Sequence, residues 1–154
     1  VVATTVLVAG HSAGGTIAAD LALAANRGGG PFRPLPSVDG WIAVAAPLDL
    51  DARLPWGGSA RVAWRTGSTP AASPATNLDR HDPPGLIVHG DQDGIVPVAH
   101  ATLMRDRAAR VGHRGLTLDL VTNATPPCRN HAPMCGASIA TLDRFVDRVA
   151  TRGA

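Results

Sequence analysis

A serine set between two glycines is the first feature of the sequence that could do chemistry. Residues 10–14 read GHSAG, after the apolar run of residues 6–8 and before small residues with helical spacing. A Gly-x-Ser-x-Gly turn between a strand and a helix is a nucleophile elbow, which lifts the serine hydroxyl clear of the sheet. Gly10 and Gly14 are expected to remove side-chain collisions, and Gly15 to let the helix approach the strand. A chance turn is the alternative in a chain with 17 glycines, but the flanking pattern favours the elbow.

Two aspartates are candidates for the carboxylate that such a serine needs. A serine is activated by an imidazole that takes its proton and by an acid that orients the imidazole, and after an elbow the acid comes first in the chain. Asp91 and Asp93 lie in the turn within residues 89–97, which read HGDQDGIVP. Asp91 leaves the strand directly and is expected to hydrogen-bond turn amides. Asp93 lies at the tip of the turn, within reach of another loop, and we predict that it is the orienting acid.

Three histidines follow the acid and are candidates for the base, namely His100, His113 and His131. His100 falls in a predicted helix and is expected to face solvent, and His113 lies at the end of that helix, where a cation is stabilised. His131 lies in the loop after the fourth predicted strand, at the same edge of the sheet as the serine. We therefore predict Ser12 as the nucleophile and His131 as the base. His11, inside the elbow, is expected to pack rather than to act as the base.

The elements that must position these residues alternate between strands and helices. Strands are predicted at residues 2–9, 38–46, 86–89 and 116–121, and helices from 13 to before the glycines at 28–30, at 97–111 and at 137–150. This alternation predicts an α/β fold, a parallel sheet of about four strands with helices on both faces and right-handed crossovers. Functional loops then lie at the carboxyl ends of the strands. The residues expected to face the sheet are Ile17 and Leu21 in the first helix, Leu103, Met104, Ala108 and Val111 in the second, and Ile139, Leu142, Val146 and Val149 in the third.

Residues 47–84 form the least regular part of the chain. They are rich in Pro, Gly, Ser and Ala and contain Trp56 and Trp64. A long irregular segment in a compact domain is more often functional than accidental. It could form a short helix near residues 60–65 and a lid over the elbow, or the two tryptophans could pin a surface loop to the core. We expect residues 1–154 to form one domain that includes this segment.

Composition and motifs exclude several classes of protein. The chain has 154 residues, of which 45% are hydrophobic and 17% charged, as is typical of a globular domain. A net charge of +2 with scattered arginines gives no basic patch for nucleic acid. No apolar run approaches the roughly 18 residues of a membrane span. Metal-ligand spacing and a phosphate-binding glycine loop are also missing from the sequence, so we expect no cofactor.

The two cysteines flank the predicted base. Cys128 and Cys135 have six residues between them, and His131 is one of the six. A disulfide would fix the loop that carries His131 and would indicate an oxidising compartment, either secreted or periplasmic. Two free thiols are the alternative. The compartment and the oligomeric state stay open at this point.

With these residues in place, the chain resembles the C-terminal half of an α/β-hydrolase. Residues 10–15 (GHSAGG) are similar to the elbow, and residues 89–97 are similar to the acid turn of that superfamily, with the acid 81 positions after the serine. The Ser-Pro pair at 73–74, followed by residues 83–90 (PPGLIVHG), resembles esterases of the hormone-sensitive-lipase and feruloyl-esterase-like groups. The loop around His131 matches less well, since Asn130 replaces the usual glycine.

The resemblance implies a serine hydrolase of the carboxylesterase or lipase type, which cleaves small-molecule carboxylic esters through an acyl-enzyme. It implies Ser12 as nucleophile, Asp93 as acid, His131 as base and the Ala13 amide as one oxyanion donor. The four strands correspond to the fifth to eighth of eight, and the chain does not begin with Met. We therefore expect the C-terminal part of a longer protein, with the second oxyanion donor in a segment that this chain does not contain. The alternatives are a serine peptidase of the same superfamily and a truncated, non-catalytic module.

Overall fold

The computed structural model describes residues 5–25, 38–50, 73–122 and 130–151. These residues form a parallel sheet with helices packed against it. Its four strands are β1 (Leu7–His11), β2 (Gly40–Val44), β3 (Gly85–Gly90) and β4 (Leu116–Val121), paired in that order. The helices described are α1 (Ala13–Ala25), α2 (Pro74–Asn77), α3 (Ala99–Val111) and α4 (Gly136–Ala150). The predicted fold class, a parallel α/β sheet of about four strands, is confirmed. The short helix α2 was not predicted.

The two inner strands are buried on both faces. Every residue of β2 and β3 is buried. Since successive side chains of a strand point to opposite faces, each strand contributes to two cores. Trp41, Ala43 and Ile87 pack with residues of α1, α2 and α3. The intervening residues of the same strands pack with Phe145 and Val149 of α4, so helices cover both faces of the sheet.

The buried face of α1 differs from the prediction. Ile17 is 54% exposed, whereas Ala18, Ala19, Ala22 and Leu23 are buried. The reason is the close approach of the helix to the sheet at its first turn, where a side chain of more than minimal size would collide with neighbouring backbone and side chains. Alanines therefore fill the contact, and the larger Ile17 points outward. The expectation that Ile17 faces the sheet was wrong.

The residues that the other two long helices bury were predicted in part. Met104 and Ala108 of α3 are buried, while the other two predicted core positions of that helix are only partly buried. In α4, Val149 is buried, and Leu142 and Val146 pack partly buried against the same core. Ile139 is 47% exposed and was wrongly expected to face the sheet. The inward line of α4 passes through Ser138, Leu142, Phe145 and Val149, one residue away from the predicted line at its first turn.

Some predictions fall outside the described residues. These are the start of the first strand before residue 5, the glycines at 28–30, the possible helix at 60–65, Trp56, Trp64 and Cys128. Within the described ranges, no helix combines the length and apolar character that crossing a membrane requires.

Two substitutions in α4 test which side of this helix is buried. Phe145→Ala is expected to lower the free energy of unfolding by about 3–5 kcal/mol, because it leaves a cavity in a fully buried site. Ile139→Ala on the same helix is expected to cost less than about 1 kcal/mol, since its side chain is half exposed. Urea denaturation of both variants measures the difference. Equal losses would contradict the observed facing of α4.

Candidate active site

Ser12 sits in a tight turn between β1 and α1, held in a backbone conformation that few residues adopt. Its φ is 53°, in the left-handed region, which costs a non-glycine residue of order 1–3 kcal/mol unless the surroundings impose it. Hydrogen bonds fix this conformation from both sides. The Ser12 amide donates to the carbonyl of Val44 at the end of β2 (2.8 Å), and the amides of Gly15 and Thr16 donate to the Ser12 carbonyl (2.9 and 3.3 Å).

Two of the three glycines around the serine are needed for steric reasons. A Cβ on Gly10 would lie 2.1 Å from the carbonyl oxygen of Gly14, and a Cβ on Gly15 would lie 2.7 Å from the Cβ of Ala46. Among the described residues, apart from its chain neighbours and the backbone of its own helix, no atom would lie within 4 Å of a Cβ on Gly14, so the expected collision is not found there. The close approach at Gly15 is reinforced by the Thr16 hydroxyl, which donates to the carbonyl of Pro47 (2.8 Å). The first turn of α1 is thus held against the segment that follows β2 by this hydrogen bond and this close contact.

The carboxylate of Asp93 uses its two oxygens for different partners. Oδ1 accepts hydrogen bonds from the amides of Ile95 (2.8 Å) and Val96 (2.9 Å). Oδ2 lies 2.8 Å from Nδ1 of His131. The Asp93 side chain is fully buried, whereas that of His131 is 22% exposed. Because an ionised carboxylate can only accept, Nδ1 of His131 carries the proton. The other ring nitrogen, Nε2, is then the one available to a hydroxyl group.

Asp91 does not have the role that the sequence suggested. The turn amides expected for Asp91 bind Asp93 instead. The backbone amide of Asp91 donates to the carbonyl of Val121 (3.1 Å) and ties the end of β3 to β4. Among the described residues, the carboxylate that contacts His131 is that of Asp93.

His89 is a member of this site that sequence reasoning missed. Its ring is fully buried, and Nε2 lies 2.9 Å from the carbonyl oxygen of Val96 and 3.5 Å from Oδ2 of Asp93. Burial lowers the pKa of His89, so the ring is neutral at neutral pH and Nε2 donates its proton to the carbonyl. His89 thereby closes the turn that presents Asp93. The sequence feature that could have identified His89 is its position, since it is the last residue with a side chain in a buried strand that leads into the acid turn.

The loop that carries His131 rests on the ends of two different strands. At β3, a Cβ on Gly90 would lie 2.3 Å from the carbonyl oxygen of Asn130, so only glycine lets the loop approach this closely. At β1, Nε2 of His11 lies 2.5 Å from the carbonyl oxygen of His131, and the two rings meet edge to face at 4.9 Å between centroids. Cys135 is disulfide-bonded, and Cys128, the other cysteine of the sequence, lies outside the described residues.

The structure therefore brings Asp93 and His131 into direct contact and places His131 against His11, the residue next to Ser12. Ala13 is the first residue of α1, where backbone amides have no acceptor within the helix. All four predicted site residues lie at the carboxyl edge of the sheet. Among the described residues, no group of three or more His, Cys, Asp or Glu side chains is arranged to hold a metal ion.

The two remaining candidate histidines are buried away from this contact. His100 is fully buried, and the expectation that it faces solvent was wrong. Its Nδ1 accepts a hydrogen bond from the Asp49 amide (3.3 Å), and burial, with a smaller effect of His89, lowers its pKa to about 4. Burial also lowers the pKa of His113, so it is not the helix-end cation that its position suggested. The first turn of α3 faces the core, which the sequence pattern around His100 did not reveal.

The sequence can now be compared with known proteins. The sequence model of the prolyl oligopeptidase family matches residues 1–151. The chain belongs to the prolyl oligopeptidase family. This confirms the resemblance to the α/β-hydrolases. No curated protein matches the sequence.

Several solved structures share this fold. A truncated carbohydrate esterase from gut microbiota superposes with a TM-score of 0.73 at 20% identity, over 93% of this chain and 59% of that one. Esterase 2 of Thermogutta terrifontis, phosphoramylated by tabun, gives 0.69 at 20% identity, over 95% and 55%. Carboxyl esterase 2 of the fungus Tuber melanosporum gives 0.67 at 17% identity, over 98% and 55%. The chain thus spans little more than half the length of these esterases.

The two aspartates of the acid turn should differ strongly in their effect on catalysis. Asp93→Asn is expected to lower kcat by roughly 10⁴-fold, because an amide in place of Oδ2 no longer fixes the His131 tautomer. Asp91→Asn is expected to retain most of the activity, since its side chain is not the one bound to His131. Steady-state kinetics of both variants in the full-length protein provide the test. Equal losses would contradict the assignment of Asp93.

Two glycines of the same turn test the support under His131. Gly90→Ala is expected to lower kcat by on the order of 100-fold, because displacing a catalytic group by about 1 Å has an effect of that size. Gly94→Ala is the matched control, since a Cβ there would meet no atom within 4 Å among the described residues beyond its chain neighbours. Both variants are to be compared in kcat and in thermal unfolding. A Gly90→Ala variant with wild-type kcat would show that the Gly90–Asn130 contact does not position His131.

Proposed function

We propose that the protein is a serine hydrolase that cleaves carboxylic esters through an acyl-enzyme on Ser12. The observation that carries this proposal is the 2.8 Å hydrogen bond between His131 Nδ1 and Asp93 Oδ2, at the sheet edge where the elbow presents Ser12. Family membership supports hydrolysis. The intact serine, acid and histidine support a covalent mechanism, and the similar folds of carbohydrate and carboxyl esterases support an ester as the substrate.

The proposed reaction assigns a role to each of these groups. Ser12 Oγ attacks the ester carbonyl while His131 Nε2 takes its proton, and the buried Asp93 carboxylate stabilises the imidazolium that results. The amide of Ala13, at the N-terminus of α1, donates to the oxyanion of the tetrahedral intermediate. His131 then returns the proton to the leaving alcohol. Water repeats the sequence on the acyl-enzyme and releases the acid.

A serine peptidase is the second candidate, and the description of the family favours it. The same three residues can open an amide, because a triad does not by itself distinguish an ester from a peptide bond. The two candidates differ in the leaving group and in the pocket that receives it.

The first test concerns the nucleophile. A fluorophosphonate probe is expected to label Ser12 in the full-length protein, and Ser12→Ala to abolish both labelling and hydrolysis of p-nitrophenyl acetate. An organophosphorus probe is a sensible choice, since the similar esterase 2 of Thermogutta terrifontis is phosphonylated by sarin. Ser73→Ala, at a buried serine whose hydroxyl accepts a hydrogen bond from the Leu50 amide, is the control and should retain labelling. An adduct mapped by mass spectrometry to any other serine would overturn the proposal.

The same proteins separate the two candidate activities. An esterase is expected to turn over unactivated methyl esters as well as p-nitrophenyl esters and to leave a blocked Gly-Pro p-nitroanilide intact. Cleavage of the anilide that disappears in the Ser12→Ala variant would instead identify a peptidase.

A further inference from the structure

His11 connects the strand of the nucleophile to the loop of the base. It is the last residue of β1 and immediately precedes Ser12. Its Nε2 lies 2.5 Å from the backbone carbonyl oxygen of His131, 120 residues further along the chain. Its ring also meets the imidazole of His131 edge to face, with centroids 4.9 Å apart and planes at 62°. One side chain thus contacts both the backbone and the ring of the proposed base.

The chemistry of the acceptor settles which nitrogen of His11 carries a proton. A carbonyl oxygen only accepts hydrogen bonds, so Nε2 of His11 must be the donor. The neutral ring with its proton on Nε2 and the imidazolium both satisfy this condition. The hydrogen bond therefore persists whether His11 is neutral or charged, and it restrains the His131 backbone in both states.

The contacts of His131 with the end of β3 leave one movement of its loop unrestrained, and His11 is placed to prevent that movement. Asp93 fixes Nδ1 of the His131 ring from the β3 side, and Asn130 rests on Gly90 at the end of the same strand. These contacts position His131 relative to the acid but not relative to Ser12, which lies at the end of β1, two strands away in the sheet. Without a contact from β1, the loop could shift along the sheet edge while its bond to Asp93 stayed intact.

We propose that His11 is a positioning residue that holds His131 over the nucleophile elbow. This inference rests on the proposed function, because it concerns the base of that reaction. His11 is exposed, so its removal has little effect on the core. Its contribution is to the distance between His131 Nε2 and Ser12 Oγ. We therefore expect the identity of the residue between Gly10 and Ser12 to affect catalysis in this protein.

Two substitutions and a control test this role in the full-length protein. His11→Leu keeps the bulk of the side chain but removes the donor, and it is expected to lower kcat for p-nitrophenyl acetate by about 10-fold with KM little changed. His11→Gln offers an amide N–H in place of Nε2 and is expected to restore most of kcat. His81→Leu replaces another exposed histidine, whose ring accepts a hydrogen bond from its neighbour Arg80, and should leave kcat and thermal stability unchanged.

A second readout does not depend on activity. In the NMR spectrum of the ¹⁵N-labelled protein, the Nδ1 proton of His131 that is bonded to Asp93 should exchange faster with solvent in His11→Leu and near the wild-type rate in His11→Gln. Unchanged kcat and exchange in His11→Leu would overturn the inference, and a raised KM with unchanged kcat would replace it with a substrate contact. If wild-type protein lacks Ser12 labelling while exchange still responds to His11, the proposed function fails and the positioning contact stands.

Discussion

The hydrogen bond between Asp93 and His131 is the interaction on which the rest of the site depends. It joins residues 38 positions apart that leave neighbouring elements of the sheet. On one side, the turn amides of Ile95 and Val96 hold the carboxylate so that only its second oxygen faces outward. On the other side, the His131 loop must descend onto the end of β3, which a side chain at Gly90 would prevent. The sheet, the turn and the loop thus each provide a contact that this hydrogen bond requires.

The sequence predicted the contact between Asp93 and His131 better than the packing of the helices, and the reason is physical. These two residues were expected to meet because loops at the carboxyl ends of parallel strands converge, which follows from topology. Helix facing depends instead on how closely each helix approaches the sheet. In α1 the approach at Gly15 favours alanines over Ile17, the opposite of what hydrophobicity predicts. In α4 a rotation of one residue brings Ser138 inward and Ile139 outward.

The histidines mark a second limit of sequence reasoning. His100 was expected in solvent because it lies in the helix just after Pro97, where a histidine ring more often faces solvent. Its burial is possible because the amide of Asp49, on a segment 51 residues earlier, supplies a partner for Nδ1. His89 likewise needs the carbonyl of Val96 at the far side of its own turn. The partner of His100 depends on where another segment crosses the core, and the partner of His89 depends on how its own turn folds back, so the pattern of apolar residues reveals neither.

The buried His89 also affects the electrostatics around Asp93. Burial lowers the pKa of both His89 and His100, so each is neutral at neutral pH despite its basic side chain. Among the described residues, the basic groups within ion-pair distance of Asp93 are His89 and His131. With His89 neutral, Asp93 is not already compensated by a permanent cation. In the proposed reaction, its charge is therefore available to stabilise the imidazolium of His131 when that ring takes a proton. The buried His89 would thus close the turn without competing with the proposed base for the charge of Asp93.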